Sequence, residues 1–101
     1  MNEIKAYTEK VFDEARHIDK NGNEYWEARE LIPLLEYTEW RKFNGVINRA
    51  IINCKSSNYN DLDHFGDADK MVYIGSNTKR KIIDYKLSRY ACYLIVILER
   101  K

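Results

Sequence analysis

Asp61, Asp63, His64, Asp67 and Asp69 set one imidazole among four carboxylates in a short stretch, a mixture that can hold a dication or run acid–base chemistry. The order of these residues argues against a calcium loop, because no Gly and terminal Glu follow at the required positions. The plainer expectation is a solvated acidic loop anchored by His64 or Phe65. Residues 75–80, GSNTKR, carry a lone Gly without the GxxxxGK[ST] order of a phosphate loop. Ser88 and His64 sit in no GxSxG-type elbow, which leaves a hydrolase without support. Cys54 and Cys92 form no CxxC unit and, with His17 and His64, lack structural zinc spacing. They are expected as small core residues in a reducing compartment. No catalytic residue, metal or cofactor is assigned, and an enzyme is not expected.

The cations offer a different chemistry, neutralisation of phosphate. Arg41, Lys42 and Arg49 fall on the outer face of one helix, and Lys79, Arg80 and Lys81 follow one another at a turn. These six are the candidate DNA-binding residues. The whole chain holds 17 Lys and Arg against 16 Asp and Glu, a net charge of +1, so no global field draws it onto nucleic acid. Local clustering has to supply any attraction.

The elements that position these cations follow from periodicity. Ile4, Tyr7, Val11, Phe12 and Ala15 recur at helical spacing, which predicts an amphipathic helix over Glu3–Arg16. Lys20–Asn23 reads as a turn and Glu24–Glu27 as a short extended piece. A short helix begins around Ala28 to Ile32, because Pro33 is tolerated cheaply only near a helix start. Thr38 is placed to cap the next helix, Glu39–Cys54, whose Trp40, Phe43, Ile47, Ala50, Ile51 and Cys54 share one face. Its other face carries Gly45 and Asn48 beside the cations, with Ile52 exposed. Lys55–Asp63 is a polar loop. Lys70–Ile74 and Lys81–Tyr85 read as a β-hairpin turning at Gly75–Thr78, with Lys79–Lys81 at its tip. Ser88 caps a last helix that is apolar all round through Leu98 and therefore buried, although Ile95–Ile97 also permit a strand.

These elements fit one small α+β domain, mainly helical, over residues 1–101. Its composition is that of a globular chain: 45% hydrophobic, 33% charged, one Pro. Eight Tyr suit either a core or a binding surface. The N-terminus has no signal-peptide run and no segment reaches a membrane span, so a cytoplasmic protein without a membrane partner is expected. The apolar last segment motivates a homodimer through residues 90–98.

Four blocks carry a more specific signal: YWEARELIPLLEY, EWRKFNGVINRAIINCKSS, DHFGDADKM and IGSNTKRKIIDYKLSRYACYLI. In this order, across about residues 12–96, the chain closely resembles the N-terminal region of the DNA damage-inducible protein D family, which looks related to Bro-N type domains of phage antirepressors. The resemblance implies regulation in the SOS response or in phage lysogeny, with DNA, a repressor or a recombinase filament as partner. It brings no catalytic residues. Trp40, Phe43, Ile47, Tyr90 and Tyr93 match positions that read as core, and Arg89 reads as structural, paired with Asp84 or capping carbonyls. The family continues with a further C-terminal region, so the chain is expected to be a truncated N-terminal part or a short prophage-borne version. The leading expectation is DNA binding, duplex or single-stranded, through the basic helix face and hairpin tip. The alternative is a protein-interaction module that never touches DNA, favoured by the Tyr excess, Ile52 and the apolar last segment.

Overall fold

A computed structural model describes residue 10 and residues 12–99. Residues 12–15 are helical and are labelled α1. They are followed by β1 (His17–Ile18), β2 (Glu24–Glu27), α2 (Ala28–Leu34), α3 (Trp40–Ser56) and a 3₁₀ turn (Asp61–Asp63). Then come β3 (Phe65–Asp67), β4 (Lys70–Gly75), β5 (Thr78–Ile82), β6 (Tyr85–Leu87) and α4 (Arg89–Glu99). The class is α+β, as expected. Ile4, Tyr7 and Val11 of the expected first helix lie outside the described residues, as do Arg100 and Lys101.

An antiparallel sheet in the order β1-β2-β6-β3 forms the floor of the core. Its register sets Trp26 opposite Leu87 and Leu87 opposite Phe65, so three large apolar side chains stand abreast. All three are buried, and α2 and α4 close over β2 and β6. Phe43, Val46, Ile47, Ala50 and Cys54 of α3 complete the core with Ala91, Cys92 and Ile95 of α4. The spacing in α3 places its core face correctly, with Trp40 and Ile51 half-buried at the margin and Ile52 exposed.

Three local expectations are corrected. Glu39, not Thr38, is the N-cap of α3, and no side chain caps that end. Pro33 is the sixth of seven residues in α2 and not near its start; its missing amide hydrogen withholds the i→i−4 bond from the Arg29 carbonyl, and the helix ends one residue later. The second arm of the hairpin is Thr78–Ile82 and not Lys81–Tyr85. Asn77 takes a left-handed φ of 66°, which closes the turn at Ser76–Asn77 and brings Gly75 opposite Thr78. The chain then leaves the hairpin, and Tyr85–Leu87 joins the main sheet. Lys79, Arg80 and Lys81 therefore lie along β5 and not at the tip.

Both α2 and α3 stop in the same manner. Glu36, with φ 63°, follows α2, and the amide of Tyr37 reaches back to the carbonyl of Ile32. Asn58, with φ 67°, follows α3, and the amide of Tyr59 reaches Cys54. This is the left-handed stop that satisfies otherwise orphaned carbonyls. At the other end of the chain Ser88 does cap α4, its hydroxyl oxygen accepting from the amide of Ala91 at 3.0 Å.

Candidate nucleic-acid interface

The acidic constellation around His64 comes apart in three dimensions. The His64 ring lies against Tyr90 with centroids 4.8 Å apart, and its Nδ1 meets the hydroxyl of Ser88 at 2.7 Å. Its role is to anchor the 3₁₀ turn to the start of α4. Asp67 accepts from the amide of Asp69, and Asp69 accepts from the amide of Asp84. A grouping that sequence spacing does not disclose forms elsewhere: the ligand-type atoms of His17, Glu27 and Glu30 lie within 4.8 Å of one another. Pairing of β1 with β2 brings His17 back over the start of α2. Lys70 already occupies Glu27 at 2.6 Å.

The six candidate cations form two separate surfaces. Arg41, Lys42 and Arg49 are exposed on α3, with Lys42 held by Glu39 at 3.4 Å. Lys79, Arg80 and Lys81 are exposed on β5. β4 and β5 pack chiefly on one another as a two-stranded ribbon, and α3 packs on α4, α2 and the 3₁₀ turn, so the two surfaces share no substantial contact. Across the ribbon Tyr73 pairs with Lys79, Met71 with Lys81 and Val72 with Arg80. The Lys79 ammonium lies 5.2 Å from the centre of the Tyr73 ring. Met71, Tyr73 and Ile74 are 60%, 69% and 59% exposed.

The root of the ribbon is held by ions and hydrogen bonds. Asp84, 1% exposed, accepts from the amides of Arg29 and Tyr85 through Oδ1, and its Oδ2 faces the Lys70 ammonium at 3.1 Å. Lys70 thus bridges Glu27 and Asp84. The hydrogen bond to Glu27 pushes the Lys70 pKa up, against the desolvation that would lower it. Lys81 reaches Asp69 at 3.3 Å, and the amide of Asp84 holds the Asp69 carboxyl below the usual range. Arg29 donates through Nε to the carbonyl of Ile83 while its guanidinium lies 4.1 Å over the Trp40 ring.

Asp84 is therefore not the partner of Arg89. The Arg89 guanidinium takes Glu24 in a fork, at 2.8 and 2.9 Å, and lies 5.2 Å over Trp26. Its role is structural, as expected, but its partner is 65 residues away and not five.

Charge is unevenly distributed between the ribbon and the body. Residues 70–83 carry Lys70, Lys79, Arg80 and Lys81 and no carboxylate, while the rest of the chain holds thirteen Lys and Arg against sixteen Asp and Glu. The near-neutral total conceals a cationic arm on an acidic body.

This α+β body with its protruding ribbon is an N-terminal domain of the BRO family: residues 14–101 match that domain, and the chain belongs to the family. Over 85 residues, 84% of the chain, it is 49% identical to DNA damage-inducible protein D of Escherichia coli (strain K12). The chain spans 31% of that relative's length. No solved structure matches it. Among the described residues no helix is long and apolar enough to cross a membrane.

Proposed function

We propose that this domain is a non-enzymatic regulatory module of the DNA-damage response or of phage lysogeny, acting in the cytoplasm and contacting DNA directly. Lys79, Arg80 and Lys81 on the ribbon form the main contact, and Arg41, Lys42 and Arg49 on α3 a secondary one. The observation that carries this reading is the segregation of charge. Lys70 and Lys81 are taken up by Glu27, Asp84 and Asp69 at the root. Lys79 and Arg80, with no ion pair among the described residues, stand on an arm without a carboxylate and attract a polyanion whatever the total charge. Membership of the BRO family and likeness to a protein named for induction by DNA damage support a regulatory role.

Binding of this kind releases counterions. Titration against duplex and single-stranded oligonucleotides from about 50 to about 200 mM salt should show log affinity falling linearly with log salt. Lys79→Ala should make that slope shallower by about 0.9. No measurable binding to either oligonucleotide at the lowest salt would sink the reading.

A second reading, a protein-interaction module acting on a repressor or recombinase, is favoured by Ile52 and Ile97, which expose 64% and 63% of their surface on α3 and α4. Capture experiments with host repressors and the recombinase that recover nothing, beside tight DNA binding, would argue against it.

A further inference from the structure

Successive residues of a strand point to opposite sides. Lys79 and Lys81 therefore leave one face of the ribbon, with Tyr73 and Met71 across from them, and Arg80 leaves the other with Val72. The Lys79 ammonium over the Tyr73 ring fixes this assignment. A single strand or a flat acidic surface lies on one face at a time and leaves the cation of the other face unused. A groove with phosphates along both walls meets both faces together.

We propose that the ribbon enters the major groove of duplex DNA turn first, with Lys79 against one phosphate wall, Arg80 against the other, and Ser76 and Asn77 at the base edges. This rests on the DNA-binding reading and adds to it the form of the nucleic acid, the groove and the residues that read sequence.

Dimensions decide between the grooves. With its two faces toward the walls, the ribbon presents its thickness, about 10 Å by the face-to-face spacing of sheets, which fits the major-groove width of about 12 Å that admits a two-stranded ribbon. The minor groove, about 6 Å wide, is too narrow. At about 3.4 Å per residue, the major-groove depth of about 8.5 Å spans two to three residues from the turn. With Ser76 and Asn77 at the floor, Lys79 and Arg80 arrive at the lip, where the phosphates are. Asn offers both a donor and an acceptor, the pair that recognises adenine, and the exposed Ile74 just behind the turn suits a thymine methyl. The polar turn and the apolar flank, which play no part in the core, thereby acquire a role.

The test uses the full chain, an unmodified duplex, a single strand of the same length, and a duplex whose cytosines carry glucosylated hydroxymethyl groups that fill the major groove. The expected result is at least tenfold preference for the unmodified duplex over each of the other two, with no displacement by netropsin, a minor-groove ligand. Lys79→Ala and Arg80→Ala should each reduce the duplex salt slope by about 0.9, since each removes a phosphate contact from a different wall. Asn77→Gly keeps the left-handed turn residue. On the tightest duplex selected from a randomised pool it should weaken binding about fivefold or more without changing the slope. DNA binding with an unaltered Arg80→Ala slope, equal affinity for the glucosylated duplex, or displacement by netropsin overturns groove entry and leaves the DNA-binding reading standing. Loss of all binding by the unaltered chain overturns both.

Discussion

Asp84 joins parts of the chain that lie far apart in sequence: its carboxylate takes the amide of Arg29 at the start of α2, its own neighbour Tyr85, and Lys70 at the root of the ribbon. Asp84→Ala strips two amides of their acceptor, so urea unfolding should register a loss of about 2–3 kcal/mol. Nothing in the sequence separates Asp84 from the exposed Asp63 or Asp67, because its burial is created by segments that meet only in the fold. Arg89 teaches the same lesson, since a local partner five residues back is visible in the sequence and Glu24 is not. By contrast Phe43, Ile47, Ala50 and Cys54 are legible at once from helical spacing, a property of the local chain. The ion pairs also give the protein an acid limit. Arg89 holds the Glu24 carboxyl below its unfolded value of 4.5. A carboxyl with a depressed folded pKa contributes stability above its unfolded pKa and loses that contribution as pH falls through the folded value. Stability should therefore fall as pH drops below about 4.5, and denaturant titrations of Glu24→Gln should show a shallower decline there.

Elements long enough to complete two turns with distinct faces announce themselves by period, which is why α3 is readable and the main sheet is not. α4, apolar all round, is read from its length and its Ser88 cap, and its β-branched run also permits a strand. β3 and β6 are three residues each, too short for alternation to register, and they gain their strand character from pairing with each other. The hairpin is readable in kind but shifts by three residues, because the left-handed Asn77 and not the run of β-branched residues fixes the turn. Helix stops show the complementary problem. Glu36 holds a left-handed conformation that costs a residue with a Cβ about 1–2 kcal/mol. Glu36→Gly should raise the thermal midpoint, with a gain of about 0.5–1 kcal/mol, provided the stop after Leu35 is left intact; a lower midpoint would show that the Glu side chain supplies more than the strain removes.

At the scale of the molecule, a net charge of +1 is the sum of a cationic arm and an acidic body, and a total cannot disclose a distribution. The positions of Lys79–Lys81 are plain in the sequence; their placement on both faces of a ribbon requires the register. Assembly is a question at this scale too. Ala91, Cys92 and Ile95 are buried within the chain, so a two-fold dimer through residues 90–98 has Ile97 as its exposed anchor, flanked by the half-buried Leu94 and Leu98. We propose such a dimer. Sedimentation at high micromolar concentration should give twice the monomer mass, and Ile97→Glu should return it to the monomer. A monomer in the unaltered chain removes the proposal.

The ionic attachment of the ribbon has a consequence for how such a domain can diversify. Residues 71–80 supply no member of the buried core, and the contacts that aim the arm belong to Lys70, Lys81, Asp69 and Asp84 at its base. The body behaves as a socket and the arm as an exchangeable bit. Changes in the arm's length, turn and outward side chains can redirect what it touches without renegotiating the packing beneath, so target choice and foldability are free to evolve separately.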